Sequence, residues 1–398
     1  MKNSTQKRAF GMIAAATLTA TFAISACAHE GCVPEGSWFV PGSGRIGAQD
    51  VLRRAADARI VLLGESHESA DDHRWELQTL AALQLLHPKL VIGFEMFPRR
   101  VQPALDRWIA GELNEDEFLK AADWTHVWGY EADYYLPLFQ FARMNRIPMV
   151  ALNVAHEFVR TVNAKGLAAV PVEQREGVSD PAPAGEAYLK RLFDAYSKHP
   201  EMRHPVKKDA GPARSDPEFQ RFVQAQLVWD RAMAQALADA AKRNPDALIV
   251  GVMGVRHVAH GDGVQHQLDS LGIRRVSTLL TWDHEADCKE LDAGLASAVY
   301  GLPYVPPLPP PPPPTLLGIR ILPVPEGIRV VSVASDSIAE ACGLKPDDVI
   351  VEAAGKTVKQ PEELKALVTS MVPGTWLPLK AKRGGEQIDL TAKFPPSK

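Results

Sequence analysis

The sequence predicts an α/β protein with a mainly parallel sheet flanked by helices, followed by a small β-rich α+β domain. Short apolar runs alternate with helix-like segments through most of the chain, which is typical of a parallel sheet covered on both faces. A proline-rich segment, 305–315, then separates the C-terminal segment 316–398, which has its own strand pattern. Such a segment favours polyproline II and acts as a stiff linker.

Five apolar runs are candidate strands: 58–66, 89–97, 147–154, 246–254 and 274–282. Between the first two, DDHRWELQTLAALQLL places apolar residues mostly at three- and four-residue steps, as an amphipathic helix does. A second helix-like segment runs from Glu218 to Asn244 and is long enough for about seven turns.

Composition excludes some classes of partner. The chain has 398 residues, of which 46% are hydrophobic, enough for more than one domain with a core. A net charge of −4 gives no electrostatic reason to expect nucleic acid as a partner or binding to an anionic membrane surface.

Residues 1–27 are predicted to be a lipoprotein signal peptide. A positive start, MKNSTQKR, precedes a short apolar core that ends in ISAC, so Cys27 is the expected site of lipidation. The alternative is an ordinary signal peptide cut near ACA. We therefore expect an exported protein of the bacterial cell envelope, tethered to a membrane by lipid. Neither Ala28 nor His29 is the aspartate associated with inner-membrane retention, which favours the outer membrane.

The remaining cysteines, Cys32, Cys288 and Cys342, match no CxxC spacing, which excludes zinc ribbons and thioredoxin-like chemistry. Cys32 and Cys288 flank the main domain and could form a disulfide in an oxidising envelope.

Chemistry-capable side chains follow the ends of four predicted strands: Glu65, His67, Glu95, Asn153, His156 and His257. The carboxyl ends of parallel strands share one edge of a sheet, so these residues should converge. Structural roles are the alternative, because Glu65 could favour a helix dipole and Ser66 or Ser69 could cap the helix. Glu95 lies in so apolar a run that its carboxylate needs a partner.

These residues lie in a pattern that resembles the ChaN-like haem-binding uptake family, of the superfamily that includes Tiki, TraB and erythromycin esterase proteins. The resemblance rests on LLGESHES, VIGFEMF, WGYEADYYLPLFQFARMNRIPMVALNV, QLVWDRAMAQAL and GVMGVRHVAHGDGVQHQL, in this order within 57–285. Gly64, Glu65 and His67 match one superfamily element, and Gly254 and His257 match another. It implies a haem-binding domain at 57–304, preceded by an N-terminal extension at 28–56.

The resemblance implies haem as the cofactor. Tyrosinate and imidazole are both known haem ligands in proteins, and the candidates here are Tyr130, Tyr134, Tyr135, His67 and His257. Tyr135 best matches the family's recurrent tyrosine, although aromatic residues at such spacings also serve as core. A homodimer that shares the haem is an open alternative.

The same superfamily implies a second chemistry, hydrolysis of protease or esterase type, with Glu65, His67, Glu95 and His257 as catalytic residues. Glu65, His67 and His257 would then hold a divalent metal such as zinc or manganese, which could activate a water. Whether the protein is an enzyme therefore stays open at this point.

The C-terminal segment resembles a bacterial PDZ domain of the envelope-protease type. The resemblance rests on LLGIRI, IRVVSVASDSIAEACGLKPDDVIVEAAGKTV and PEELKALVTSM. It implies that Leu317, Gly318 and Ile319 hold the terminal carboxylate of a peptide, which pairs with the second strand by β-augmentation. Asp347 stands where the family has glycine. A PDZ domain docked against its own chain is the alternative.

Together these patterns predict an envelope-anchored haem-binding or iron-porphyrin-binding protein that supports iron or haem uptake, with a PDZ module that recruits a peptide or protein partner. A metal-dependent hydrolase is the alternative. A third interpretation makes the α/β domain an inert scaffold for the PDZ module.

Overall fold

The computed structural model describes residues 31–198, 213–304 and 316–396. The chain divides into two compact units, Met1–Val305 and Pro306–Lys398, and the division falls in the proline-rich segment. The predicted signal peptide, with its lipidation site at Cys27, lies outside the described residues. Within the described part of the chain, no helix is both long and apolar enough to cross a membrane.

An eight-stranded sheet forms the centre of the first unit, with the strand order β2-β1-β8-β7-β3-β6-β4-β5. Its strands are β1 (Trp38–Val40), β2 (Gly44–Ile46), β3 (Ile60–Glu65), β4 (Leu90–Pro98), β5 (Met149–Asn153), β6 (Leu248–Gly254), β7 (Val276–Trp282) and β8 (Ala298–Gly301). The six strands from β8 to β5 pair in parallel, whereas β1 pairs with β2 and β8 antiparallel. This confirms the predicted fold class.

Helices cover both faces of the sheet. They are α1 (Ala48–Ala56), α2 (Ala70–Leu86), α3 (Gln102–Ala110), α4 (Glu115–Ala121), α5 (Trp124–Val127), α6 (Ala132–Met144), α7 (His156–Lys165), α8 (Glu186–Lys198), α9 (Pro217–Arg243), α10 (Val255–Val258) and α11 (Val264–Ser270). Alternate residues of β3 enter separate cores: Val61 and Leu63 one, Ile60 and Leu62 the other. All four side chains are fully buried, each worth about 1.5–3 kcal/mol of hydrophobic stabilisation.

A disulfide bond joins Cys32 to Cys288, a pairing that the sequence left open. It ties the segment before β1 to the segment between β7 and β8. Because the two cysteines lie 256 positions apart, the bond closes nearly the whole first unit into one loop.

The second unit is an antiparallel sheet with the order β14-β13-β11-β10-β9, to which β12 is added beside β11. Its elements are β9 (Ile319–Val324), β10 (Gly327–Val333), α12 (Ile338–Ala341), β11 (Val349–Ala353), β12 (Lys356–Thr357), α13 (Pro361–Thr369), β13 (Trp376–Arg383) and β14 (Glu386–Lys393). The second strand, β10, was predicted to take up a peptide, but it is paired on both sides, with β9 and β11. The first strand of the unit, β9, lies at one edge of the sheet and is open to a peptide instead. Asp347 has a φ of 68°, the left-handed conformation that glycine adopts most readily.

Candidate functional site

Glu65, Glu95 and Gly254 come together because β3, β6 and β4 are neighbours in the parallel sheet. Glu65 is the last residue of β3 and lies opposite Gly254, the last residue of β6. Both carboxylates are almost completely buried, with residue exposures of 1% for Glu65 and 6% for Glu95. The strand order therefore places two acidic side chains and the start of α10, with His257, at one edge of the sheet.

Glu65 and His67 form a tight pair: Nδ1 of His67 lies 2.5 Å from Oε1 of Glu65. The His67 ring packs edge-on against Trp128 and also contacts Tyr130. Burial lowers the pKa of His67, but the hydrogen bond and charge of Glu65 outweigh burial, and the net direction is upward. The second carboxylate oxygen of Glu65, Oε2, is buried without a hydrogen-bond partner among the described residues.

Glu95 finds the partners that its buried position requires. Its Oε2 accepts a 2.7 Å hydrogen bond from the Gly254 N–H, and its Oε1 lies 3.4 Å from Nε2 of His257. On the other side of the ring, Nδ1 of His257 lies 2.6 Å from Oδ1 of Asp230, and Oδ2 of Asp230 accepts from the Tyr188 hydroxyl at 2.7 Å. A buried chain of polar contacts thus runs from Glu95 to Tyr188.

The electrostatics of His257 follow from its two acidic neighbours. Burial of the ring lowers its pKa, but the charges of Glu95 and Asp230 more than compensate and raise the pKa of His257 to about 9. The ring is therefore protonated at neutral pH and balances part of the negative charge of the two carboxylates.

Gly254 holds the two acid–histidine pairs close together. A Cβ at this position would lie 2.8 Å from Cε1 of His67 and 3.6 Å from Oε2 of Glu95, so only glycine allows this approach. The predicted convergence of Glu65, His67, Glu95 and His257 is thus present in the structure.

The other residues predicted at the strand ends have different positions. Asn153 caps its own turn, because its Oδ1 accepts from the Val154 N–H. Nε2 of His156 contacts the carbonyl oxygen of Val127. The helix cap before α2 is Ser69, whose hydroxyl accepts from the Asp72 N–H.

Among the residues that the structure describes, no three His, Cys, Asp or Glu side chains are grouped so that they could hold a metal ion. Metal ligation by Glu65, His67 and His257 stays a prediction.

The three candidate tyrosines differ in accessibility. Tyr135 is fully buried, and its hydroxyl donates to the carbonyl oxygen of His67 at 3.2 Å. Burial, followed by the charge of Glu65, raises its pKa, so the tyrosinate form is disfavoured. Tyr134 is partly buried and stacks on His73, whereas Tyr130 lies beside His67 and lines an open cavity. Tyr135 lines neither of the two cavities beside His126, and iron ligation by Tyr135 stays a prediction.

An aromatic cavity of about 700 Å³ lies among α7, α8 and α9, within the range of small-molecule sites. Its aromatic lining residues are Tyr188, Phe222 and Trp229, and Val159 and Leu192 add aliphatic surface. Walls of this kind suit a flat apolar ligand.

Charged and ring-nitrogen groups also line the aromatic cavity. They are Arg160, Arg256, His126 and His156. His126 also lines a neighbouring cavity of about 590 Å³ that contains Tyr130 and Trp124. Nδ1 of His126 lies 2.6 Å from Oδ1 of Asp123, which leaves Nε2 directed elsewhere, a pattern common in metal-ligating histidines.

Sequence reasoning missed Asp230, Tyr188 and His126. Asp230 and Tyr188 lie within helices α9 and α8, where no strand end marks them. An acid directly after the apolar run LVW was the one available signal for Asp230.

In the second unit, a groove of about 530 Å³ lies between β9 and α13, and the predicted residues Leu317, Gly318 and Ile319 line it. Within the described residues, the N–H groups of Leu317 and Gly318 donate to no backbone or side-chain acceptor. Gly318 has a φ of 81°, and a Cβ there would lie 2.3 Å from that of Ser337. Adjacent free N–H groups of this kind form anion-binding concavities.

Two models of known protein families match this chain. A family model described as haem-binding uptake, Tiki superfamily, ChaN matches residues 51–268, and a PDZ model matches residues 315–394. The structure is similar to that of ChaN of Campylobacter jejuni, solved with cofacial haem, with a TM-score of 0.50 and 16% identity, over 66% of this chain and 95% of that one. At this identity the similarity shows the fold alone.

Two curated proteins are also similar over part of their length. RETICULATA-RELATED 5, a chloroplastic protein of Arabidopsis thaliana, is 26% identical over 219 residues, which are 53% of this chain and 29% of that protein. The magnetosome formation protease MamE of Magnetospirillum gryphiswaldense is 33% identical over 76 residues, 19% of this chain and 10% of that protein. The chain thus spans less than a third of either relative.

Proposed function

The chain belongs to the ChaN family of haem-binding uptake proteins in the Tiki superfamily and carries a C-terminal PDZ domain, and from this we propose that its first unit binds haem in the aromatic cavity. One observation carries the proposal: aromatic walls, two arginines and two histidines line one cavity of about 700 Å³. A macrocycle with two propionates and a central iron needs all three kinds of surface.

His126 is the residue best placed to hold the iron. Its Nδ1 is engaged by Asp123, which orients the ring and leaves Nε2 as the donor for a metal. Its side chain is 81% exposed, so it can turn toward either of the cavities that it borders. Haem, when bound, would supply an iron centre, and His126 would hold it through Nε2.

Arg160 and Arg256 would bind the propionates. Both line the aromatic cavity, and guanidinium groups pair with carboxylates in a planar, bidentate manner. Their charges also fit an anionic ligand better than a neutral one. Trp229 and Phe222 would then pack against the porphyrin.

Tyr130 is the second candidate iron donor, because it lines the cavity that adjoins His126. Tyr134 and Tyr135 have supporting roles in this proposal, since they pack on His73 beside Glu65. His257, one of the two predicted histidine ligands, is engaged at both ring nitrogens, by Asp230 and Glu95, so we assign the iron to His126 instead. His67 is held at Nδ1 alone, by Glu65, and with its Nε2 it is a further candidate donor.

We further propose that the protein acts in the bacterial cell envelope, attached to the outer membrane through lipid at Cys27, and supports iron or haem uptake. The family description as uptake proteins supports this role, and the disulfide between Cys32 and Cys288 suits an oxidising compartment. A homodimer that shares haem belongs to the same proposal, since the ChaN structure of Campylobacter jejuni holds haem cofacially.

A hemin titration of residues 28–398, with Cys27 removed, tests the haem proposal. Absorbance should show a saturable Soret shift, weakened at least tenfold in His126→Ala and in the double variant Arg160→Gln/Arg256→Gln. His87→Ala is the matched control, because His87 follows α2 and lines neither cavity. No saturable shift in the wild-type protein would overturn the proposal, and equal affinity in His126→Ala would reassign the iron, with Tyr130→Phe as the next variant.

The convergence of Glu65, His67, Glu95 and His257 favours hydrolysis as a second candidate function. Oε2 of Glu65 makes no hydrogen bond among the described residues and lies 4.0 Å from Nε2 of His73, and this carboxylate beside His67 is suited to general acid–base chemistry. Turnover of ester and peptide substrates, with metal analysis for zinc and manganese, would test it. Loss of activity in Glu65→Gln with unchanged hemin affinity would show that hydrolysis and haem binding are separate.

For the second unit we propose capture of a peptide C-terminus in the groove between β9 and α13. The free N–H groups of Leu317 and Gly318 are suited to the carboxylate, and the edge strand β9 can pair with the peptide backbone. Amidation of the C-terminus of a binding peptide should abolish its binding. Equal affinity of the amidated and the free-acid peptide would contradict capture of the carboxylate.

A further inference from the structure

The chemistry of the PDZ groove indicates which peptides it prefers, an inference that rests on the peptide-binding function proposed above. Ile319 and Ile321 are half-buried on β9, whereas Arg320 between them is exposed. Successive side chains of a strand point to opposite faces, so Arg320 lies on the face away from the two isoleucines.

A bound peptide would have a fixed register on β9. If the carboxylate occupies the N–H groups of Leu317 and Gly318, the last residue lies beside Ile319, where Leu364 and Val368 complete an apolar lining. The peptide runs antiparallel to β9, so its penultimate residue lies opposite Arg320. Directly opposite residues have their side chains on the same face of a sheet.

Arg320 is available for an ionic contact. It lines the groove beside Ser332, its neighbour on β10. Within the described residues it makes no ion pair or hydrogen bond through its side chain. The other charged lining residues, Glu362 and Lys365, lie three positions apart on α13 and have opposite signs, so Arg320 accounts for the net positive charge of the groove.

We propose that this groove selects protein C-termini whose last residue is aliphatic and whose penultimate residue is acidic. The aliphatic side chain fills the space lined by Ile319, Leu364 and Val368. The acidic side chain pairs with Arg320 across the strands.

The test uses residues 28–398, with Cys27 removed, and three labelled peptides that differ in the penultimate residue and end in Glu-Val, Gln-Val or Lys-Val. Fluorescence polarisation should rank their affinities in that order, with Glu-Val about two- to fivefold tighter than Gln-Val, the range expected for a solvent-exposed ion pair. The preference should shrink at high salt.

Charge reversal tests the role of Arg320. Arg320→Glu should invert the order, so that Lys-Val binds tightest, because the local charge changes sign. Arg329→Glu is the matched control: Arg329 is an exposed residue of β10 that does not line the groove, and this variant should keep the wild-type order.

Two outcomes would overturn the inference in distinguishable ways. Equal affinity for the three peptides, or an order unchanged by Arg320→Glu, contradicts the penultimate preference while peptide binding stands. No binding of any peptide, including Gln-Val, contradicts the peptide-binding function itself and the inference with it.

Discussion

His257 shows how single residues of the first unit depend on their acidic neighbours. Its pKa is raised to about 9, whereas an unfolded histidine titrates near 6.5. The protonated ring therefore stabilises the fold fully below about pH 6.5, and this contribution is lost as the pH rises to about 9.

Asp230→Asn should lower the pKa of His257 and reduce stability at pH 6.5 by roughly 1–2 kcal/mol. The cause is the loss of one of the two negative partners of the ring, since Glu95 remains. Histidine NMR titrations and denaturant melts at pH 6.5 and 9.5 measure both effects. Asp239→Asn, at a more exposed position of α9, should change neither, and an unchanged pKa in Asp230→Asn would contradict the account.

Tyr135→Phe separates a structural from a ligand role. The variant loses one buried hydrogen bond to the His67 carbonyl, which should cost about 1 kcal/mol of stability. Hemin affinity should stay within about twofold of wild type, because Tyr135 lines neither the aromatic cavity nor its neighbour. A loss of the Soret shift in Tyr135→Phe would restore Tyr135 as the iron ligand.

The contrast between Glu95 and His126 shows what sequence can predict about this site. Glu95 was identifiable because it is an acid near the carboxyl end of an apolar strand, β4, and the carboxyl ends of parallel strands meet. His126 lies in the four-residue helix α5, and its proximity to α7 and α9 depends on how helices pack across one face. No periodicity or residue spacing in the sequence predicts that His126 lies close to these helices.

At the scale of elements, the sequence predicted the strands that have long apolar runs and missed the short ones. The five apolar runs correspond to β3, β4, β5, β6 and β7, whereas β1, β2 and β8 have only three or four residues. Such short strands contain too few residues to show a hydrophobic pattern. They are strands because of their pairing: β8 pairs with β7, and the other two join the sheet through β8. The edge position of β9 also depends on which strands pair, which the sequence does not show. For this reason the strand open to a peptide was predicted incorrectly.

The disulfide stabilises the elements at that antiparallel end of the sheet. Cys32→Ser/Cys288→Ser should lose about 2–4 kcal/mol in unfolding of the first unit, because the bond closes a long loop. Thermal melts with and without reductant measure this, and reductant should affect only the protein that retains the bond. Equal melting of wild type and variant would contradict a stabilising role.

At the scale of the whole molecule, each unit has its own hydrophobic core. Residues 28–304 alone should therefore bind hemin with the affinity of residues 28–398, and removal of the PDZ domain should abolish only peptide binding. Absorbance and polarisation titrations of both forms check this. A large loss of hemin affinity in the shorter form would show that the units act together.

The central claim concerns where the iron lies. A crystal structure of the hemin complex, with anomalous data at the iron edge, measures this directly. We expect the iron peak in the aromatic cavity beside Trp229, within bonding distance of Nε2 of His126, and propionates at Arg160 and Arg256. An iron peak at Tyr135, or between Glu65 and His257, would contradict this account.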